Sequence, residues 1–287
     1  IHGQYAAAGS RIVNANTFGA SAHKLAGSAY TLEQIITAGI ENCKRACAPY
    51  GALTALDVGP LGELLEPSGT LAFEDAVAEY ARIVKAGEAA GADLIFFETY
   101  TDLYELKAAL LAAKENTRLP ILASMSFEAG GRTFTGCTVE SFAATARGLG
   151  ADAVGINCSL GPKEIFPMAK RLAEAVPGNF PVFVKPNAGL PRADGSGYDI
   201  TPQLFALQMK PYRELHLFAA GGCCGTTPEF IKLLNGTFAG CTPGRPAHRM
   251  PSVLCTPVDV VHVDGITVVG ERINPTGKKR FQQALRE

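Results

Sequence analysis

Short runs of apolar and β-branched residues alternate along the chain with longer stretches of mixed polarity. In the longer stretches apolar residues recur three and four positions apart, as at Phe73, Val77 and Tyr80, which predicts amphipathic helices. The short runs predict seven β-strands, at residues 11–14, 53–58, 94–97, 120–125, 153–156, 181–184 and 216–220. The chain is therefore predicted to be a repeat of strand and helix.

The residues at predicted helix starts support this interpretation. Thr31 with Gln34, and Thr226 with Glu229, have the spacing of capping boxes, in which side chains satisfy the first free amides of a helix. Strands that alternate with helices predict a parallel sheet, either open with helices on both faces or closed as a barrel. Seven strands are one fewer than a closed barrel of this kind contains. No glycine-rich dinucleotide-binding motif follows the first predicted strand.

The loops differ at the two edges of the predicted sheet. Loops that leave helices are short, whereas loops that leave strands are long and rich in glycine and proline, at residues 59–70, 128–137 and 187–199. Parallel α/β proteins build their sites at the carboxyl ends of the strands. We therefore expect the functional residues in the loops that lead from strands to helices.

The pattern changes near residue 236. The sequence that follows is rich in glycine, proline and arginine and has neither helical nor strand periodicity, which indicates a linker or a wrapping segment. A strand-like run, a polar turn and the opening of a helix come next. We therefore predict three parts, namely a barrel-type domain at residues 1–240, a linker or wrapping segment at 241–260, and the start of a second α/β domain at 261–287.

The composition of the 287 residues is that of a folded protein, with 47% hydrophobic and 18% charged residues. The 26 basic and 27 acidic residues nearly cancel, which argues against the basic surface that nucleic acids bind. No apolar run approaches the roughly 18 residues of a membrane span, and no leader-like segment begins the chain. Eight cysteines without a secretion signal predict reduced thiols, so we expect a cytoplasmic protein.

The adjacent pair Cys223 and Cys224 lies between glycines at the end of a predicted strand. Zn²⁺ takes four tetrahedral ligands, and a catalytic site supplies three of them from protein. Cys158 directly follows another strand and would face the same edge, which makes it the preferred third ligand. Two packed thiols in a tight turn are the alternative for the pair. Cys43 and Cys47 fall on a predicted outer helix, whereas three cysteines in loops stay open as ligands: Cys137, Cys241 and Cys255.

Three thiolates around Zn²⁺ would give the site a net negative charge and make it a weak Lewis acid. Activation of water is disfavoured at such a site. A substrate thiol in the fourth position would lose its proton, since a thiol that coordinates a metal ion is deprotonated. The predicted chemistry is therefore the activation of a thiol nucleophile.

Five motifs occur in the order found in one enzyme family: NANTFGAS, DVGPLGELLEP, GINCSLGP, VKPNAGLP and GGCCGTTPEFI. From its first residues to about residue 240 the chain resembles the homocysteine-binding, zinc-dependent S-methyltransferase barrels. The resemblance implies a (β/α)8 TIM barrel in which Cys158, Cys223 and Cys224 bind Zn²⁺ and the homocysteine sulfur is the fourth ligand. It also implies a first strand with an Asp-Gly motif. Because that motif is absent, we expect an N-terminally truncated barrel that lacks its first strand.

The segment VVGERINPTGKKRF resembles the start of the methyltetrahydrofolate-binding barrel that follows this domain in cobalamin-dependent methionine synthases. The resemblance implies that Glu271 and Asn274 belong to an incomplete folate site. It implies homocysteine as a partner, together with the folate- and cobalamin-binding domains of the same parent protein. The homocysteine thiolate would take a methyl group from methylcobalamin on a separate domain, and 5-methyltetrahydrofolate would remethylate the cobalamin.

Four further residues near strand ends are candidate substrate contacts. Glu98 ends an apolar strand at the functional edge, and the resemblance supports it as the partner of the homocysteine ammonium group. Its alternative role is to favour the dipole of the following helix. Asn16, Thr17 and Asn187 are candidate polar contacts or a placeholder zinc ligand before substrate binds. Each is equally compatible with a role in a local turn.

Other functions stay open at this point. Lys185 follows a predicted strand and would suit the Schiff-base lysine of an aldolase-like barrel, although nothing else in the sequence supports carbonyl chemistry. The same zinc site would serve a stand-alone methyltransferase that uses betaine or S-methylmethionine, but the segment GERINPTG argues against it. A zinc-binding or thiol-binding module without turnover is the alternative from a different class.

Overall fold

The computed structural model describes residues 1–192, 194–244, 250, 252–263, 265–268 and 279–286. Within these residues, seven strands form one sheet in chain order, and each pairs in parallel with the next. The strands are β1 (Ile12–Asn14), β2 (Leu53–Val58), β3 (Leu94–Tyr100), β4 (Ile121–Met125), β5 (Ala153–Asn157), β6 (Val182–Lys185) and β7 (Ala219–Ala220). The predicted parallel sheet and its seven strands are confirmed.

Helices connect the strands and cover the outside of the sheet. They are α1 (His2–Ala7), α2 (Leu32–Cys47), α3 (Phe73–Ala89), α4 (Leu103–Asn116), α5 (Val139–Gly148), α6 (Pro162–Glu174), α7 (Pro202–Met209) and α8 (Pro228–Thr237). Short 3-10 helices at Ala48–Tyr50 and Lys210–Leu215 precede β2 and β7. In the described part of the chain, every helix is too short or too polar to cross a membrane.

The two faces of the sheet pack against different partners, because successive residues of a strand point to opposite sides. Outward residues such as Ile95 and Phe97 belong to the main core between the sheet and its helices. Inward residues form a second cluster, against which Ile12 of β1 and Ala219 of β7 also pack. Residues from the first and last strands therefore meet around one interior, so the sheet curls as an α/β barrel of the TIM type. The inward cluster consists of Ala55, Leu94, Phe96, Leu122, Ala153 and Phe183.

The last strand of the sheet is shorter than the sequence predicts. The hydrophobic run starts at His216, but β7 begins only at Ala219. His216 ends the preceding 3-10 helix in the left-handed backbone conformation, with φ 47°, and so cannot continue into a strand. The extended backbone of β7 is consequently limited to the two residues before the glycines of the cysteine loop.

The two predicted capping boxes have different outcomes. At α2 the Thr31 hydroxyl accepts from the Gln34 amide and the Gln34 side chain accepts from the Thr31 amide, so this box is confirmed. The box at Thr226 is wrong, because Pro228 places the start of α8 one residue later, with Thr227 at the N-cap. The Thr226 hydroxyl donates instead to the carbonyl oxygen of Cys223.

The first helix of the chain contacts the region around the last helix of the sheet. Tyr5 in α1 donates from its hydroxyl to the carbonyl oxygen of Thr226 at 2.7 Å. Asn235 in α8 donates from Nδ2 to the carbonyl oxygen of Ala8 at 2.9 Å. Since α1 precedes β1 and α8 follows β7, these bonds join the two ends of the sheet. The missing first strand of the family barrel stays a prediction.

A β-hairpin follows α8 and packs on the outside of the barrel. Its strands β8 (Ser252–Cys255) and β9 (Val260–Val263) pair in antiparallel fashion, and a short helix α9 (Lys279–Ala284) lies beyond them. The amide of Thr138 donates to the carbonyl oxygen of Pro257 in the hairpin turn at 3.1 Å. The segment predicted as a linker therefore contains a strand, because β9 supplies its partner. The domain boundaries at residues 240 and 260 stay predictions.

Candidate metal centre

Three cysteine side chains converge at the carboxyl edge of the sheet. Cys158 directly follows β5, whereas Cys223 and Cys224 lie two strands away, in the loop after β7. Their sulfur atoms all lie within 4.8 Å of one another, and the Sγ atoms of Cys158 and Cys224 are 3.8 Å apart. In the part of the chain that the structure describes, this is the one group of three or more histidine, cysteine, aspartate or glutamate side chains close enough to share a metal ion.

Hydrogen bonds to β6 and its loop fix the two cysteine loops relative to each other. The Cys158 amide donates to the carbonyl oxygen of Lys185 at 3.1 Å, and the Cys223 amide donates to that of Pro186 at 2.8 Å. Cys158 and Ser159 have φ values of 63° and 61°, a left-handed conformation that is costly for residues with a Cβ. This sharp turn at the end of β5 points the Cys158 thiol back toward the other two.

Two glycines explain why the loop GGCCG contains no bulkier residue beside the cysteines. A Cβ on Gly222 would lie 2.5 Å from the side chain of Thr226, the residue that binds the Cys223 carbonyl. Gly225 has φ +78°, and a Cβ there would lie 2.3 Å from the ring of Tyr198. The glycines therefore allow the close packing that brings the thiols together.

Asn187 fixes the third thiol through the backbone. Its Oδ1 accepts from the amide of Cys224 at 3.1 Å, and the carbonyl oxygen of Cys224 accepts from the amide of Ala188 at 2.9 Å. The side chain of Asn187 is buried. The structure therefore places Asn187 beside the cysteine cluster, and its direct contact with substrate or metal stays a prediction.

Asn157 is a residue of this centre that the sequence analysis missed. It is fully buried at the end of β5, and its Nδ2 donates to the Cys223 sulfur at 3.7 Å and to the Thr99 hydroxyl at 2.7 Å. Its Oδ1 accepts from the Thr99 amide and from the Ser124 hydroxyl, each at 2.9 Å. The available signal was an asparagine that ends an apolar strand immediately before Cys158.

The three thiols share their protons unequally. Hydrogen bonds from Cys158 and Cys224, supported by the positive charge of Lys185, lower the pKa of Cys223 to about 2. The same hydrogen bonds raise the pKa of Cys158 and of Cys224, because each would have to give up the proton that it donates, and burial adds to the rise. The cluster thus stabilises a thiolate at Cys223 even with protein groups alone.

A buried ion pair lies in the barrel interior next to the cysteines. Lys185 at the end of β6 pairs through Nζ with Oε2 of Glu98 in β3, and Nζ also lies 4.5 Å from the centroid of the Phe96 ring. Burial alone would lower the pKa of Lys185, but the neighbouring acidic groups, with Glu98 the strongest, outweigh burial and raise that pKa. A Schiff-base lysine needs a neutral amine, so this environment argues against the aldolase alternative. The pKa of Asp57 is raised well above its usual range by burial and by Glu98.

The remaining predicted site residues have different positions. Thr17 is buried, and its hydroxyl donates to the carbonyl oxygen of Asp57 and accepts from the Asp57 amide, so it joins the loop after β1 to β2. Asn16 is exposed at the same edge. Their contacts with substrate stay predictions. Glu271 and Asn274, the predicted folate residues, lie outside the described residues.

The geometry fits a zinc ion. Zn²⁺ binds thiolate sulfur at about 2.3 Å, so two sulfur ligands of a tetrahedral ion lie about 3.8 Å apart. The observed separation of 3.8 Å between the Cys158 and Cys224 sulfurs agrees with this value. Thiolates are also the ligands that favour zinc over the harder divalent ions. Three protein sulfurs around such an ion would leave one tetrahedral position open.

Comparisons with known proteins indicate one family, the homocysteine S-methyltransferases. The family model described as homocysteine S-methyltransferase matches residues 1–238. The methionine synthases of Mycobacterium tuberculosis and Mycobacterium leprae are 30% and 31% identical over 305 and 312 residues, covering 99% of this chain. Each match covers 25% of the relative, so the chain spans about a quarter of the length of these curated relatives.

Solved structures show the same fold. The homocysteine methyltransferase MmuM from Escherichia coli superimposes with TM-scores of 0.65 in its apo form, 0.66 in its metallated form and 0.68 in its oxidised form. Each match covers 82% or 83% of both chains at 23% sequence identity. At this identity the likeness supports the fold alone.

Proposed function

The chain belongs to the homocysteine S-methyltransferase family, and on this premise we propose that it binds homocysteine as a thiolate and presents it for methylation to methionine. The observation that carries the proposal is the convergence of Cys158, Cys223 and Cys224 within 4.8 Å at the carboxyl edge of the sheet. A cluster of this kind has a use in thiol chemistry, because it can hold a metal ion and leave one position for a substrate sulfur.

We propose that Cys158, Cys223 and Cys224 hold Zn²⁺. Bound Zn²⁺ would supply the positive charge that keeps a coordinated substrate thiol deprotonated near neutral pH. The three cysteine thiolates would more than balance the charge of the ion, so a coordinated sulfur would stay electron-rich and nucleophilic. Water activation is a poor alternative for a site with this ligand set.

The other residues of the centre have positioning roles in this proposal. Asn157 directs a donor at the Cys223 sulfur, while Asn187 and Thr226 fix the backbone of the two adjacent cysteines. Preorganised ligands hold the substrate sulfur in one orientation, which lowers the entropic cost of reaching the transition state. No side chain has to act as general base if the substrate binds as a thiolate.

We propose methylcobalamin, carried by a separate domain of a longer protein, as the methyl donor, with 5-methyltetrahydrofolate as the source of its methyl group. The support is that the matched methionine synthases are about four times as long as the matched segment, and that VVGERINPTGKKRF resembles a folate-domain start. The cobalamin and folate domains would thus be partners within one polypeptide, and homocysteine the small-molecule partner.

X-ray absorption at the zinc edge, before and after addition of homocysteine, tests the proposal. We expect about one zinc per chain, with three sulfur ligands and one lighter ligand before addition and four sulfur ligands afterwards. An unchanged coordination shell would reject thiol activation and would favour a structural zinc site. Methionine gives the control, since its thioether has no proton to lose and should leave the shell unaltered.

A further inference from the structure

The ion pair between Lys185 and Glu98 crosses the interior of the barrel. The two residues belong to β6 and β3, which β4 and β5 separate in the sheet. Phe183 and Phe96, two positions earlier in each strand, belong to the inward cluster, so both charged side chains point into the barrel. Their side chains are only 18% and 10% exposed. Such a pair is costly to bury, and removal of one partner leaves an uncompensated charge.

The end of β6 that carries Lys185 lies beside the three thiols, and the charge of Lys185 acts on the Cys223 thiol. The carbonyl oxygen of Lys185 accepts from the Cys158 amide, and the next residue, Pro186, accepts from the Cys223 amide. On the other side, the Cα of Gly221 packs on the Lys185 stem, since a Cβ there would lie 3.2 Å from the lysine Cγ. Homocysteine has two methylene groups between its sulfur and its α-carbon. A homocysteine whose sulfur binds at the cluster would need a partner for its charged end within reach of those two methylene groups, and this ion pair is the candidate beside the cluster.

A zwitterion can exchange places with an ion pair without leaving any charge alone. The substrate ammonium would replace Lys185 on the Glu98 carboxylate, and the substrate carboxylate would replace Glu98 on the Lys185 ammonium. The number of opposite-charge contacts then rises while the net charge of the interior stays the same. A thiol that carries only an ammonium group would leave Lys185 with only the buried Asp57 beside it, and a thiol that carries only a carboxylate would leave Glu98 without a cation. A polar site that excludes water penalises such losses strongly.

We propose that Lys185 is a specificity-determining residue, which binds the α-carboxylate of the amino acid thiol while Glu98 binds its α-ammonium group. The inference rests on the proposed function, because it takes the substrate sulfur to lie at Cys158, Cys223 and Cys224. It adds to that function a reason why the site accepts an α-amino acid rather than any thiol. Lys185 and Glu98 together form a receptor for both charges of one substrate.

Binding of three thiols to the zinc-loaded protein, measured by isothermal titration calorimetry, tests this inference. The thiols are homocysteine, its decarboxylated analogue 3-aminopropanethiol and its deaminated analogue 4-mercaptobutanoate. We expect Lys185→Met to weaken binding of homocysteine and 4-mercaptobutanoate by about 10- to 100-fold and to change binding of 3-aminopropanethiol less than about 3-fold. The matched variant Glu98→Gln should weaken homocysteine and 3-aminopropanethiol and spare 4-mercaptobutanoate.

The outcomes separate the inference from the function on which it rests. Wild-type protein that binds zinc but none of the three thiols would reject the proposed function. If wild-type protein binds homocysteine and Lys185→Met binds it as tightly, the role of Lys185 is rejected while the proposed function stands. The same holds if Lys185→Met weakens the binding of all three thiols equally. If Lys185→Met does not fold, the double variant Lys185→Met with Glu98→Gln removes both charges together, and it should bind the three thiols with nearly equal affinity.

Discussion

Nδ2 of Asn157 lies 3.7 Å from the sulfur of Cys223 and donates a hydrogen bond to it from inside the barrel. The asparagine is held in turn by Thr99 and Ser124, which bind its two polar atoms. An amide in this position stabilises the thiolate form of Cys223 and restricts the direction of its sulfur. In the proposed zinc site, Asn157 would therefore hold the Cys223 sulfur in position without being a ligand itself.

Replacement of Asn157 by alanine should weaken zinc binding by about 10- to 100-fold, which is the usual effect of losing a hydrogen bond to a metal ligand. Competition with a chelator of known zinc affinity measures the change. Asn42→Ala, on the exposed surface of α2, is the matched control and should bind zinc like wild type. Equal zinc affinities for Asn157→Ala and wild type would show that the contact at Cys223 is incidental.

Replacement of Cys223 by alanine should remove both zinc and thiol alkylation activity, because two thiols from protein do not make a tight tetrahedral site. Metal analysis after dialysis and alkylation of homocysteine by a simple methyl donor are the two measurements. Cys241→Ala is the matched control, because it makes the same substitution outside the cluster, and it should retain about one zinc per chain. Retention of both zinc and activity by Cys223→Ala would take Cys223 out of the site.

Replacement of Gly225 by alanine should destabilise the protein by about 1–3 kcal/mol, since the left-handed backbone there disfavours a Cβ. The new methyl group would also press on the Tyr198 ring and displace the cysteine loop, so zinc affinity should fall as well. Chemical denaturation gives the free energy of unfolding. Gly236→Ala in α8, where a Cβ meets open space, should instead stabilise by about 0.5–1 kcal/mol. Similar stability changes at the two sites would contradict the strain argument.

The buried carboxyl of Glu105 should make stability depend on pH. Burial raises its pKa in the folded protein, against the hydrogen bonds that Leu61 and Tyr80 donate to it. A carboxyl whose pKa rises on folding contributes most below its usual pKa, and the contribution is lost as the pH rises through the raised value. The free energy of unfolding of Glu105→Gln, relative to wild type, should therefore increase as the pH is raised above the usual pKa of a glutamate.

Glu140 provides a control with the opposite sign. Hydrogen bonds from Arg171 lower its pKa, so its contribution is present above the usual pKa of a glutamate and is lost as the pH falls through the lowered value. Glu140→Gln should accordingly lose stability relative to wild type as the pH is raised from acid toward the usual pKa of a glutamate, and the difference should be constant above it. Parallel trends for the two variants in denaturation experiments at several pH values would contradict the assignment of both shifts.

The sequence predicts the seven strands well because buried parallel strands are nearly continuous apolar runs, as at residues 153–156. The sequence also predicts that Cys158 lies close to Cys223 and Cys224, because residues that follow parallel strands lie at one edge of the sheet. The error at Thr226 has a local cause, since Pro228 moved the helix start by one residue and released the hydroxyl for the Cys223 carbonyl.

The features of the site that could not be predicted from the sequence depend on contacts across the barrel. The pairing of Lys185 with Glu98 requires the sheet to curl until β3 and β6 face each other, which no local pattern encodes. The same holds for Asn157, whose partners come from β3, β4 and the loop after β7. Hydrophobic periodicity shows which face of a strand is buried, but it does not show which polar side chains meet there.

The contact between Tyr5 and Thr226 links residues 221 positions apart in the chain. Thr226 in turn binds the Cys223 carbonyl through its amide and its hydroxyl. The turn that carries two of the three thiols is therefore braced by the helix that precedes the first strand. A change in the position of that helix would therefore reach Cys223 through Thr226, so the order of the cysteine loop depends on a contact between the two ends of the sheet and not on the loop alone.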